Sequence, residues 1–229
     1  MTSLQKWGKS VRTTIPVMAG YLVLGAGFGI LLRTRGYGLG WALAMSAFIY
    51  AGSMQYVAID LLTGGASLLT TAVTTLLVNA RHLFYGISML ERYRAAGKYA
   101  PYLIFSLTDE TYSLVAARED LTGAECFRIS LLDQLYWVLG TALGSLVGAY
   151  LDFNTTGIDF SLTALFLTVF TEQWLETKDH APALIGLGVS IVCRLLFGAD
   201  SFLLPTMGGM LCCLLVLDAR RTKKGGESV

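Results

Sequence analysis

Apolar residues in this chain arrive in long runs, and those runs decide what it can fold into. Eight can be marked, at about 13–32, 41–63, 66–90, 102–117, 129–151, 160–175, 183–199 and 202–217. A helix needs roughly 20 apolar residues to cross the hydrocarbon of a bilayer, and several of the runs reach that length. Across the 229 residues 54% are hydrophobic and 14% charged, with mean hydropathy +0.59, whereas soluble domains carry about 25% charge. The reading is an all-α polytopic membrane protein with about six to eight transmembrane segments, in one integral-membrane domain over 1–229.

The placement of charge refines the topology. A net charge of +1 points to neither nucleic acid nor an acidic partner. Lys6, Lys9 and Arg12 precede the first run as in a signal peptide, but no small-residue cleavage site followed by a soluble domain appears, so the segment is read as retained. Further positive charge gathers at Arg33 and Arg35, at Arg92, Arg94 and Lys98, at Arg118 and Arg128, at Lys178, and from Arg220 to Lys224. Eight plain spans would scatter these clusters over both sides of the membrane. If segments one and four dip in and return, every positive loop and both termini fall on the cytoplasmic side.

Gly25, Gly27 and Gly29 in segment one, and two adjacent acids in segment four, make both poor lipid-facing helices. Irregular backbone at membrane depth is tolerated where it is buried or lines a cavity. Six spans with two re-entrant or broken segments is therefore the expected topology, and seven or eight plain spans the alternative.

An internal repeat is also visible, with halves at about 13–92 and 129–200. Phe48 and Gln55-Tyr56 in the first half correspond to Phe166 and Gln173-Trp174 in the second. Arg81 with Tyr85-Gly86 corresponds to Arg194 with Phe197-Gly198. Gly140, Gly144 and Gly148 form a small-xxx-small pattern suited to close helix packing. Under the re-entrant topology the repeat is inverted, the architecture in which secondary transporters place substrate between the halves.

Ionisable residues inside apolar runs cost about 2.5–3.5 kcal/mol apiece on insertion scales, so those that are kept mark function. Segment three holds Asn79, Arg81, His82, Tyr85 and Gly86. On a helix Arg81 and Tyr85 share one face, while Asn79, His82 and Gly86 share an adjoining one. Arg81 offers a permanently charged fork for a carboxylate, and His82 titrates near neutral pH. Asp109 and Glu110 adjoin Thr108; two neighbouring carboxylates in a low-dielectric site disfavour joint ionisation and suit proton exchange. The competing reading is that Arg81 pairs with one of these acids only to satisfy buried charge.

In segment two, Tyr50-Ala51-Gly52-Ser53-Met54-Gln55-Tyr56 could break the helix and expose backbone to a ligand. Asp60, Asp133-Gln134 and Glu172-Gln173 are read as interfacial, His180 as solvated in a loop, and the four cysteines as small packing residues. No H-E-x-x-H, G-x-S-x-G or phosphate-binding glycine loop occurs, which argues against metalloprotease, serine hydrolase and nucleotide-driven pump.

Together the stretch from Tyr50 to Tyr56, the block Asn79-Ala80-Arg81-His82-Leu83-Phe84-Tyr85-Gly86 and Thr108-Asp109-Glu110 resemble the AzlC family of branched-chain amino acid permeases. Similarity is clearest from about Pro16 to Asp133. Tyr50, Met54, Tyr56 and Ala80 depart mildly from the family pattern. The resemblance implies proton-driven export of leucine, isoleucine, valine or methionine across the bacterial cytoplasmic membrane. It also implies a small AzlD-type membrane subunit as partner, and no cofactor. Arg81, Asn79, Tyr85, Gln55, Ser53 and Tyr56 are the expected substrate-binding residues, and Asp109, Glu110 and His82 the expected proton-coupling ones. A passive channel and a non-transporting membrane scaffold are the rival readings.

Overall fold

The computed structural model describes residues 3–116, 118, 120–150, 160, 163, 164, 167, 170, 171, 174, 175 and 179–226. All regular structure among them is helical. The chain divides into two compact units, Met1–Ala164 and Leu165–Val229. The helices of the first are α1 (Ser3–Thr34), α2 (Leu39–Ala44), α3 (Gly52–Thr63), α4 (Leu68–Val78), α5 (Arg81–Ala95), α6 (Ala100–Phe105), α7 (Asp109–Ala116) and α8 (Gly123–Tyr150); those of the second are α9 (Ala181–Ser201) and α10 (Leu203–Gly226).

The first unit is organised by α1 lying against α8. Each supplies a stripe of small residues, so the two backbones approach closely, which is how helices associate where lipid removes any hydrophobic drive between them. A methyl group built on Gly25 would stand 2.8 Å from the Trp137 carbonyl oxygen, one on Gly29 2.2 Å from that of Thr141, and one on Gly144 2.0 Å from that of Ala26. Phe28, Tyr21 and Trp137 fill the seam above and below these contacts.

This seam corrects the expectation for segment one. It is not re-entrant: α1 runs unbroken for 32 residues with Pro16 inside it, and Gly25 and Gly29 serve a close helix pair instead of interrupting a helix. Among the described residues, two helical stretches are long and apolar enough to cross a membrane, Gln5–Thr34 and Ala181–Gly198. With 28 residues, α8 reaches about 42 Å at the usual helical rise.

Segments two, three and four are all broken. In segment two, α2 passes into a π-helical turn over Met45–Ile49, and Tyr50 then takes the left-handed conformation at φ 44°, ψ 46° before α3 begins. A bulky residue there is strained, and such strain persists only where the surroundings over-determine it. In segment three α4 ends at Asn79, and i to i−3 bonds from His82 N to Asn79 O and from Leu83 N to Ala80 O tighten the turn into α5. Tight turns of this kind inside a helical run mark hinges. In segment four, Ser106 to Thr108 separate α6 from α7.

In the second unit α9 and α10 pack as a pair, with Gly209 close against Val189 and Gly186 near Met210. Gly198 has φ 75° and kinks α9. His180, expected in solvent, instead stacks on Trp174 at 4.1 Å between ring centroids, since its position ahead of α9 brings it onto that ring. Cys126 and Cys193 are buried as packing residues, whereas Cys212 and Cys213 are exposed. Phe166 and Gln173 of the proposed repeat, and Glu172, read as interfacial, lie outside the described residues.

Candidate functional site

The three helix breaks bring the polar residues of segments two, three and four together. Arg81, the first residue of α5, places Nη1 2.8 Å from Asp109 Oδ2 at the start of α7, and its Nη2 donates to Ser53 Oγ of α3 at 2.5 Å. About a quarter to a third of each charged side chain is exposed, 31% for Arg81 and 25% for Asp109. Thr108 caps α7 by accepting from the Thr111 N–H at 3.3 Å, so Asp109 and Glu110 occupy a first helical turn, where the helix dipole favours carboxylates.

The two faces expected of α5 separate as helical geometry requires. Asn79, His82 and Gly86 line a cavity of about 730 Å³ walled mainly by apolar side chains, including Leu76, Ile87 and Ile104. Tyr50 and Ala51, at the break in segment two, line it as well. Arg81 and Tyr85 turn toward α7, Arg81 to Asp109 and Tyr85 to stack on Tyr112 at 4.6 Å. His82 keeps its Nδ1 3.2 Å from the Asn79 carbonyl oxygen. Asn79 Oδ1 and Asp109 Oδ1 are buried acceptors that no donor among the described residues reaches.

Gln55 and Tyr56 lie elsewhere, within the packing of α1, α3 and α8. Gln55 is fully buried; its Nε2 donates to Ser46 Oγ at 3.1 Å and its Oε1 accepts from Trp137 Nε1 at 2.9 Å. The Tyr56 hydroxyl donates to the Leu24 carbonyl at 2.7 Å.

Two polar residues near the site are not among the expected site residues. Tyr21 of α1 donates its hydroxyl to Glu110 Oε2 at 2.7 Å and lies 2.7 Å from Thr108 Oγ1. Asp133, read as interfacial, is fully buried in α8, where Oδ2 accepts from Thr111 Oγ1 at 2.9 Å. Proximity to the end of an apolar run misplaced it. The signal that finds it is helical phase: Asp133, Trp137, Gly140, Thr141 and Gly144 follow one another on a single buried stripe of α8.

Apolar helices broken where charged and hydroxyl side chains gather define an all-helical membrane protein of the discontinuous-helix kind. Comparison with known proteins gives the family. The chain matches the family model described as AzlC protein over residues 16–151, and it belongs to that family. It is 46% identical to the branched-chain amino acid transport protein AzlC of Bacillus subtilis (strain 168), over 89% of this chain and 82% of that protein. An uncharacterized membrane protein of Helicobacter pylori (strain ATCC 700392 / 26695) is 43% identical over 89% of this chain and 91% of its own length. The inner membrane protein YgaZ of Escherichia coli (strain K12) is 26% identical over 90% and 87% respectively. No solved structure matches the chain.

Proposed function

We propose that this chain is the large subunit of a secondary transporter that exports branched-chain amino acids and methionine across the bacterial cytoplasmic membrane. Export is driven by the proton gradient and carried out with a small AzlD-type membrane subunit. The observation that carries the reading is the Arg81–Asp109 pair at two helix breaks, with Asn79 and His82 on the adjoining face of the same turn lining an apolar cavity. The name of the Bacillus subtilis relative supports the substrate class.

A zwitterion with an apolar side chain needs a cation, an acceptor set and an apolar wall. Arg81 supplies the first, in the fork geometry that suits a carboxylate. Asp109 Oδ1 and Asn79 Oδ1, which no donor among the described residues satisfies, supply acceptors for the ammonium. The cavity, which Asn79 and His82 line on the face of the turn adjoining Arg81, supplies the wall, and its volume of about 730 Å³ falls within the range of roughly 300–1,000 Å³ usual for small-molecule sites. Because Asp109 already holds Arg81, substrate must divide that pair. Protonation of Asp109 releases Arg81 to the substrate carboxylate, and this competition links proton to substrate. Glu110 and His82 stand beside the pair as further proton-exchanging groups.

The test is counterflow of labelled leucine, valine and methionine in proteoliposomes, with and without the small subunit and a pH gradient. Accumulation that follows the gradient supports the reading. Flux that only equalises concentration, whatever the gradient, makes the protein a passive channel, and no flux under any condition leaves a membrane scaffold.

A further inference from the structure

Glu110 and Asp133 are the two ends of an unbroken chain of hydroxyl groups. Glu110 Oε2 lies 2.7 Å from the Tyr21 hydroxyl, which lies 2.7 Å from Thr108 Oγ1. Thr108 Oγ1 is 3.2 Å from Thr111 Oγ1, and Thr111 Oγ1 is 2.9 Å from Asp133 Oδ2. Tyr21, Thr108, Thr111 and Asp133 are all buried, Thr111 and Asp133 completely. Among the described residues, Asp133 Oδ1 meets no donor and Asp133 forms no ion pair.

Counting hydrogens decides what such a chain can hold. It has four oxygen-to-oxygen links, and Tyr21, Thr108 and Thr111 bring one hydroxyl hydrogen each. With both carboxyls ionised, one link therefore has two lone pairs facing one another and no hydrogen between them. A single added proton fills every link, and it completes the chain equally well from either end.

We propose that Glu110 and Asp133 share one proton and that Tyr21, Thr108 and Thr111 relay it between them, extending the proton path from the Arg81–Asp109 pair to α8. In the forward direction the Glu110 carboxylic hydrogen passes to Tyr21. The Tyr21 hydrogen passes to Thr108, that of Thr108 to Thr111, and that of Thr111 to Asp133 Oδ2. Each hydroxyl gains one proton and loses one, so the net change is one proton moved from glutamate to aspartate. The return reverses the three hydroxyls. Asp109 lies beside Glu110, Tyr50 and Tyr85 are within electrostatic reach of Glu110, and Tyr50 and Tyr102 are within reach of Asp133, so the shared proton senses these groups as well. The relay rests on the proton-coupled reading for its use, though not for its existence.

The test is infrared spectroscopy of the purified full-length chain, isotope-labelled in its aspartate carboxyls so that the two acids absorb apart. Each of Glu110→Gln and Asp133→Asn brings an amide hydrogen that fills the fourth link, so each is expected to remove the protonated-carboxyl band from the acid that remains. Thr111→Val cuts the chain, so each acid titrates alone, and Thr111→Ser restores the joint titration. This pair of threonine variants carries the comparison if Asp133→Asn does not fold. An aspartate band unmoved by Glu110→Gln, or joint titration surviving in Thr111→Val, overturns the relay.

Gradient-driven leucine accumulation in proteoliposomes, measured alongside, is expected to fall at least tenfold in Thr111→Val. Joint titration without gradient-driven transport in the wild type keeps the shared proton and removes proton-coupled export. Gradient-driven transport with independent titration does the reverse.

Discussion

Arg81 and Asp109 are each the first residue of a helix, and they meet at 2.8 Å. The carboxylate suits the positive end of α7, but the guanidinium sits at the positive end of α5, where a cation is disfavoured by roughly 0.3–1 kcal/mol. A cation placed against its own helix dipole is a poor stabilising device and a useful binding one. Replacing either partner breaks an ion pair between two partly buried groups. Each of Arg81→Gln and Asp109→Asn is expected to cost about 1–3 kcal/mol, between the values for exposed and fully buried pairs, and to lower leucine counterflow at least tenfold. The double variant regains most of the stability and none of the transport. Thermal unfolding in detergent and counterflow, measured on all three, check this; a double variant that transports normally would show that the pair serves only the fold.

The seam between α1 and α8 leaves no room for a methyl group at Gly144, where a Cβ would stand 2.0 Å from the Ala26 carbonyl oxygen. Backbone cannot swing aside as a side chain can. Gly144→Ala is therefore expected to destabilise the protein by about 1–3 kcal/mol, the usual cost of overpacking. Gly20→Ala, where nothing lies within 4 Å of the added carbon, is expected to be neutral or to gain up to about 1 kcal/mol of helix propensity. Comparison of the two melting temperatures reads out the difference.

What the sequence made legible follows from rarity. Arg81, His82, Asp109 and Glu110 stand out because apolar runs seldom contain charge, and the face division of Asn79, His82 and Gly86 from Arg81 and Tyr85 follows from residue spacing alone. The break at Tyr50-Ala51 was visible in its small residues. Gly25 and Gly29 misled, because a glycine that lets two helices touch and a glycine that interrupts one look alike until the partner stripe at Gly140 and Gly144 is set beside them. Tyr21 was hidden as one aromatic among many. Asp133 was judged by its distance from a segment end, when its phase on the buried stripe of α8 was the informative quantity.

Gln55 joins three elements through its amide, accepting from Trp137 of α8 and donating to Ser46, which in turn donates to Thr141 at 2.9 Å. Gln55→Leu fills a similar volume but leaves the indole N–H and a serine hydroxyl buried with fewer partners. The expected loss is about 1–3 kcal/mol, the cost of stranding a buried donor. Gln55→Glu keeps an acceptor for Trp137 but brings a buried carboxyl with it. It should therefore also be less stable than wild type at neutral pH and recover part of the loss on acidification, as protonation of the glutamate restores a donor for Ser46. Unfolding of the two variants followed at two pH values checks both statements.

Ahead of the apolar run that begins at about 129, Thr122 and Glu125 close a capping box on α8. Glu125 Oε2 accepts from the Thr122 N–H at 3.0 Å and from its hydroxyl at 2.8 Å, while the Glu125 N–H donates back to Thr122 Oγ1 at 3.3 Å. The backbone and hydroxyl hydrogen bonds from Thr122 hold the Glu125 carboxyl below the usual carboxylate range, with Lys9 at 3.7 Å adding attraction. A folded-state pKa depressed in this way contributes stability that is fully present above the unfolded value of about 4.3. That contribution is lost as pH falls through the lower folded value, where the protonated form no longer holds its place in the cap. Glu125→Gln removes the titration and keeps an acceptor. The melting temperature of the wild type should therefore exceed that of Glu125→Gln at neutral pH, with the gap shrinking as the pH is taken below about 4. A gap that stays constant across that range would mean that the carboxylate charge contributes nothing to holding α8 at its first turn.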